Sequence, residues 1–311
     1  MPHRPRIISA IGTPLREDGA LHREALAIHL EDQWANAASG VLVAGTMGAM
    51  PMLPDRTYAE LVAAAAELGR GRGELLVGIG DASLQRTLDR LRVVADASSD
   101  AIDGVVSLPP SFVKPSQTQV ERFFTELADR SPYPVFAYSL PSLTGVAVSV
   151  ATALRLAEHP NMAGIKSSME LDQSLRLWRE APAGFRVIVA KPMACDALGR
   201  LGVEEMLDGV FALAPSWIDR LCVAVEAGDD ADAARWQGKL NALLDVLGAS
   251  GEHLWAVFSM LLNERGVPGR FVAAPYDTLP SAIARRVRAR PIVDELLATT
   301  AVTRSRAETV S

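Results

Sequence analysis

Short apolar runs alternate with longer amphipathic ones along most of the chain. The apolar runs at residues 7–11, 41–44, 75–79, 104–107, 135–138, 163–166, 187–190 and 209–212 are mostly β-branched and rarely alternate with polar residues. That is the pattern of strands covered on both faces. Helical patterns follow them at 22–36, 57–68, 83–97, 117–128, 149–157, 172–180, 193–200 and 215–227. In the first, Leu26, Leu30 and Trp34 recur at helical spacing with Ala27 beside them. Arg23, Glu24, Glu31 and Asp32 fall largely off that stripe.

Eight strand–helix alternations without a long linker predict an α/β fold, a (β/α)8 TIM barrel over residues 1–228. A doubly wound sheet would alternate in the same way, but Ile11-Gly12-Thr13-Pro14 follows the first strand where that fold carries Gly-x-Gly-x-x-Gly. After Gly228 the pattern is helical only, at 229–248, 252–264 and 281–298. These predict a C-terminal helical extension over 229–302, packed on the barrel or forming an oligomer contact, and a disordered tail over 303–311.

Composition narrows the class. The chain has 311 residues, 49% of them hydrophobic and 22% charged, with a formal net charge of −6. These values exclude wholesale disorder and provide for a large core. Mild acidity argues against a nucleic-acid partner. No uninterrupted run of about 18 apolar residues and no signal-peptide pattern is present, so no membrane partner is expected. Two cysteines, Cys195 and Cys222, cannot form a disulfide scaffold and are expected as buried hydrophobes. The expectation is a cytoplasmic, soluble protein.

Of 31 basic residues only four are lysines: Lys114, Lys166, Lys191 and Lys239. A lysine can lose its proton and attack a carbonyl, which arginine cannot. In a barrel, catalytic groups sit at the C-terminal ends of strands. Those ends carry Gly45-Thr46-Met47-Gly48, Gly80-Asp81, Tyr138-Ser139-Leu140-Pro141, Lys166-Ser167-Ser168 and Lys191-Pro192. They hold no histidine and no metal-ligand cluster, and neither metal nor cofactor is expected. Lys166 ends the apolar Met162-Ala163-Gly164-Ile165 and would project into the barrel mouth, where desolvation favours the neutral amine. Alternatively it snorkels to solvent or pairs with a carboxylate. Tyr138 could relay protons, or be a core tyrosine with a satisfied hydroxyl. The turn at Gly45 and Thr46 offers backbone N–H groups and a hydroxyl to a small carboxylate, or is simply a tight strand–helix turn. Gly78-Ile79-Gly80-Asp81 reads as a strand end, not a phosphate loop. His3, His22, His29, His159 and His253 read as surface groups.

Together these positions resemble the dihydrodipicolinate synthase/N-acetylneuraminate lyase family over about residues 7–221. The resemblance rests on Gly12-Thr13-Pro14 with Asp18-Gly19, and on Gly45-Thr46-Met47-Gly48 against the family's Gly-Thr-Thr-Gly-Glu. It rests further on Tyr138-Ser139-Leu140-Pro141 with Thr144-Gly145 against Tyr-Asn-x-Pro-x-x-Thr-Gly, and on Gly164-Ile165-Lys166. It implies a class I aldolase on pyruvate or a related 2-oxo acid and an aldehyde. Lys166 would form the Schiff base, Tyr138 relay protons, and Thr46 with its turn bind the keto acid's carboxylate. It also implies a homo-oligomer, a dimer or tetramer. Four departures bear on the substrate. Met47 replaces a second hydroxyl and Ala49 a glutamate. Phe112 stands for a tyrosine of the synthase's proton relay, and Leu143 for the arginine that grips its second substrate. Losing that contact costs a few kcal/mol, so the synthase reaction is not expected, and a less polar aldehyde is. Lys191 stands where relatives carry Gly-Asp. It could depress the pKa of Lys166, anchor a carboxylate in place of the arginine, or be a solvated loop lysine. A 2-keto-3-deoxy acid dehydratase using the same imine, and a non-catalytic ligand-binding paralogue, are the competing readings.

Overall fold

The computed structural model describes residues 3–97 and 100–301; the 303–311 tail lies outside them. Eight parallel strands close on themselves in sequence order. They are β1 (Arg6–Ala10), β2 (Gly40–Val43), β3 (Glu74–Gly78), β4 (Gly104–Ser107), β5 (Val135–Ser139), β6 (Met162–Ser167), β7 (Arg186–Val189) and β8 (Glu205–Asp208). The fold is a (β/α)8 TIM barrel, as the alternating pattern predicts.

The strands look uniformly apolar because they feed two cores. Ile8, Ala10, Leu42, Leu76, Val106, Phe136, Tyr138, Ile188 and Leu207 point inward and fill the barrel. The alternate residues, Ile7, Val41, Val43, Leu75, Val77, Val105, Val187 and Val189 among them, pack outward against the helices. One strand-length run thus supplies both layers, leaving no polar face to mark a period.

Two element placements require correction. The eighth strand is Glu205–Asp208, and the apolar run placed there by the sequence forms the short helix Gly209–Leu213, buried throughout. A five-residue apolar run does not separate strand from buried helix. The real strand was disguised by acidic residues at both ends. Glu205 is tolerated because Arg186 reaches it at 2.8 Å, while Asp208 accepts from the N–H of Val210 at 3.0 Å and caps the short helix. The pattern at 281–298 forms two helices, Ser281–Arg288 and Pro291–Leu297. Pro291 has no N–H to continue the first and suits the opening of the second.

The C-terminal helices Asp230–Gly248 and Leu254–Glu264 pack on the barrel helices, and they change the environment of Arg23–Ala35. Asp32, off the predicted stripe, is fully buried and bonds to Arg265 at 2.9 Å, itself 1% exposed. His29, expected at the surface, is also fully buried, edge-on to Phe271. Burial, and secondarily the Arg265 charge, lower its pKa to about 3. The helix has a second buried stripe because a second layer covers it. Cys195 and Cys222 are buried free thiols.

Candidate active site

The barrel has two chemically different ends. At the N-terminal end, Glu74 and Glu205 share Arg186, at 2.9 Å and 2.8 Å, and Arg6 adds a contact to Glu74 at 3.1 Å. This charge-paired floor lies beneath Phe136, with the Arg186 guanidinium 5.0 Å from its ring centre.

At the C-terminal end, Tyr138 of β5 and Lys166 of β6 are direct cross-strand neighbours, and Ile188 of β7 is the next. Strand alternation turns both functional side chains inward above the apolar filling. Lys166 is 4% exposed, and its Nζ lies 4.1 Å from the centre of the Tyr138 ring. Among the described residues its ammonium has no ion pair and no hydrogen bond.

The turn Gly45-Thr46-Met47-Gly48 leaves β2, three strands from β5, and shares a cleft with Tyr138; Lys166 is not among the residues lining that cleft. Ala44 and Ala49 bracket it with φ of 51° and 54°, each a left-handed residue costing about 1–2 kcal/mol. Neighbours hold it in place. Thr13 donates to the Gly48 carbonyl at 2.7 Å. A Cβ at Gly78 would fall 1.9 Å from the Ala44 carbonyl oxygen. Gly78 and Thr13, from the flanking strand ends, thus act as buttresses of this turn. The amides of Thr46, Met47 and Gly48 bond to no backbone carbonyl among the described residues, and the buried Thr46 hydroxyl has no partner.

Gly45, Thr46, Tyr138 and Leu143 border one narrow cleft, walled otherwise by Leu42, Ala44, Met50, Pro51, Val106, Leu108 and two glycines. Its polar groups are few, and Leu143, 60% exposed, forms its rim. Met47 does not line it; its side chain leans on the end of β8, where a Cβ at Gly209 would fall 2.3 Å from the Met47 Cγ. Phe112 is 91% exposed on its loop and stands away from the cleft. Lys191 lies partly buried just beyond β7, with no ion pair among the described residues. Thr144, Gly145 and Ser139 serve the backbone. Thr144 bonds to the Leu140 and Val146 carbonyls, Gly145 turns at φ 66°, and the Ser139 hydroxyl accepts from Val148.

One group was missed in the sequence. Asp208 ends β8, partly buried, and interacts electrostatically with Lys166. Burial raises its carboxyl pKa, opposed by the N–H groups of Val210 and Gly209 and by Lys166. An Asp-Gly before an apolar run is a helix-cap signal, and it would have placed both strand end and carboxylate. Among the described residues no group of three or more His, Cys, Asp or Glu could hold a metal. No helix among them is long and apolar enough to cross a membrane.

A buried lysine and a tyrosine on adjoining inner strand ends of a closed parallel barrel form the arrangement of lysine-dependent, class I aldolase barrels. Comparison with known proteins makes the assignment specific: the chain belongs to the dihydrodipicolinate synthetase family, whose model matches residues 3–289. It is accordingly a carbon–carbon lyase of the aldolase type on the family's pyruvate aldolase fold. It is 30% identical over 247 residues to 4-hydroxy-tetrahydrodipicolinate synthase of Exiguobacterium sp. (strain ATCC BAA-1283 / AT1b), covering 78% of this chain and 82% of the relative. It is 31% identical over 264 residues to the synthase of Azoarcus sp. (strain BH72), covering 84% and 89%. Among solved structures, YagE from E. coli K12, in complex with pyruvate, superposes with a TM-score of 0.85 at 22% identity, covering 94% of this chain and 98% of that one. The Methylacidiphilum fumariolicum SolV synthase superposes at 0.84 and 24% identity, covering 95% and 98%. At those identities the superpositions establish the fold.

Proposed function

We propose that the protein is a Schiff-base-forming aldolase that joins or splits pyruvate, or a related 2-oxo acid, and an aldehyde of low polarity, and that it is not a 4-hydroxy-tetrahydrodipicolinate synthase. One observation carries the reading: Lys166 is buried at the barrel mouth, without an ion pair among the described residues, against the face of Tyr138. An amine so placed is desolvated and attacks a ketone readily. The iminium then withdraws electrons from the adjacent carbon, which adds to an aldehyde or is released from one. Tyr138 moves protons to and from the substrate oxygen. The uncommitted amides of the Gly45–Gly48 turn and the unpartnered Thr46 hydroxyl suit a carboxylate. Pyruvate is bound in the solved structures of YagE and of the Acinetobacter baumannii synthase, which supports a keto acid here.

The acceptor follows from the cleft. Its wall is apolar from Leu42 to Leu143, and an apolar wall cannot compensate the desolvation of a charged aldehyde. Lys191, just beyond β7, is the cation that would recover a carboxylate on that side. Phe112 and Val113, 91% and 76% exposed on one loop, are proposed to pack against a second copy of this chain in a dimer or tetramer. The proposed setting is the cytoplasm, in keeping with two buried free thiols.

Borohydride reduction with a panel of 2-oxo acids, followed by peptide mass mapping, tests the chemistry. The expected adduct lies on Lys166, and its absence for every acid would leave a ligand-binding barrel. Product analysis with aldehydes of graded polarity tests the acceptor. Pyruvate plus an apolar aldehyde is expected; exclusive turnover of aspartate semialdehyde sinks the specificity claim, and a dehydrated oxo acid would mark a dehydratase.

A further inference from the structure

The strained turn that leaves β2 is held from outside, and one of its supports comes from the helix layer. β2 and β3 stay paired as far as Val43 and Val77. At Ala44 the chain swings into the left-handed region, and its carbonyl oxygen comes so close to Gly78 that a Cβ there would fall 1.9 Å away. Gly78 thus lies one residue beyond the last β2–β3 pair, and the Tyr58 hydroxyl donates to its carbonyl at 2.9 Å. Tyr58 belongs to the helix Asp55–Gly69 and is fully buried. Burial pushes its phenol pKa up, so the group remains a donor across the ordinary pH range. The ring is fixed as well. The Arg90 guanidinium, from the helix Leu84–Asp96, lies 4.5 Å from its centre. Arg90 is 6% exposed, pairs with Asp55 at 2.9 Å and approaches Asp81, just past β3, at 3.7 Å. A phenyl ring would fill the same space; only the hydroxyl reaches the strand.

We propose, building on the Schiff-base reading, that Tyr58 is a positioning residue for the keto acid's carboxylate. By tethering Gly78 to the helix layer, its hydroxyl holds Gly45 and Thr46 where the turn's amides and the Thr46 hydroxyl meet the ligand. Gly45, Thr46 and Gly78 border the same cleft, and in a close-packed interior a shift of Gly78 passes to the turn lying on it. The left-handed backbone at Ala44 and Ala49 stores strain. A released turn relaxes and must be reordered each time a carboxylate binds, which weakens binding. The covalent step is spared. Tyr138 and Lys166 stand on β5 and β6, two and three strands away from β3.

Tyr58→Phe keeps the ring and the Arg90 stacking and removes the hydroxyl alone. The pyruvate concentration that half-saturates borohydride trapping should rise about fivefold, the scale of one neutral hydrogen bond. The saturated trapping rate should stay within about twofold of wild type, the split expected when binding alone is lost. Leu61→Val, on the same helix and also buried, loosens the packing without touching that bond and should leave half-saturation unchanged. An unchanged value in Tyr58→Phe, or an equal rise in Leu61→Val, overturns the inference. A second measurement needs no substrate. Ala49 and Met50 donate across the turn to the Thr46 and Gly45 carbonyls at 3.0 and 3.4 Å. Their amide hydrogen exchange, read by NMR, should be faster in Tyr58→Phe than in wild type or Leu61→Val; identical rates in all three overturn the inference even if trapping succeeds. A wild-type protein that traps no 2-oxo acid, while these amides still exchange faster in Tyr58→Phe, defeats the Schiff-base reading and leaves the tether standing.

Discussion

The two ends of the barrel are built from the same eight strands and treat charge in opposite ways. On the floor, Arg186 bonds to Glu74 and Glu205 together, and Arg6 joins them. The net effect on Arg186 is a raised pKa, because the hydrogen bonds to both glutamates outweigh the penalty of burial. At the mouth, Lys166 is buried more deeply than the partly exposed Arg186, and a tyrosine ring lies against it. Thr46 has a buried hydroxyl without a partner, and the turn beside it is held in strained backbone by its neighbours. Paired groups stabilise the fold and are chemically inert. Unpaired ones weaken it and are available to a ligand. The seam under the C-terminal helices follows the floor: Arg265 and Asp32 pair in full burial, while His29 remains uncharged beside them.

The sharpest break of this contrast is Lys166→Met. It should abolish 2-oxo acid trapping and lower turnover by at least about 10³-fold, with the melting temperature unchanged or higher, since a buried unpaired cation is removed. A clear loss of stability would mean that Lys166 is structural. The seam predicts an effect on pH. His29 has a folded pKa of about 3 against an ordinary 6.5. Between those values the unfolded chain binds a proton that the folded one refuses, so stability falls as pH drops from 6.5 toward 3. The full window is worth on the order of 5 kcal/mol. Urea unfolding of His29→Leu from pH 7 to 4 should give a flatter acid limb than wild type, and parallel curves would refute the assignment.

On the floor, Arg186→Met leaves two partly buried glutamates without their shared cation and should cost about 3 kcal/mol in unfolding free energy. Turnover per folded molecule should persist, and a large drop in kcat at unchanged stability would erase the distinction between the ends. The smallest effect is expected from Thr46→Val. Stability should be equal or slightly higher because a buried unpartnered hydroxyl disappears, and KM for the 2-oxo acid should rise about tenfold, the value of one hydrogen bond to a charged group.

Much of the mouth was legible in the chain. Tyr138 and Lys166 end apolar runs, and a strand end in a parallel barrel has a fixed address. Their being neighbours followed from strand order once the barrel was assumed. Leu143 on the rim of an apolar cleft could be read from its place in the family pattern. Other positions resisted. Met47 packs on Gly209 and against the barrel-interior cluster, because a side chain's direction out of a strained turn is decided by what stands opposite. Asp208 was hidden by the misplaced eighth strand, although its Asp-Gly is a local cap signal; Glu205 at the other end carries no local sign of Arg186, the partner that excuses it.

The sequence by itself determined the number and order of the strands and most helix positions, and it singled out Lys166 and Lys191 as candidates. Those depend on short-range periodicity and on chain punctuation, both written locally. Only the folded structure decided which charges are paired. Arg186 meets Glu74 and Asp32 meets Arg265 across spans of sequence that no local pattern registers. Whether a buried group is neutralised or left reactive depends on what the closed barrel brings beside it.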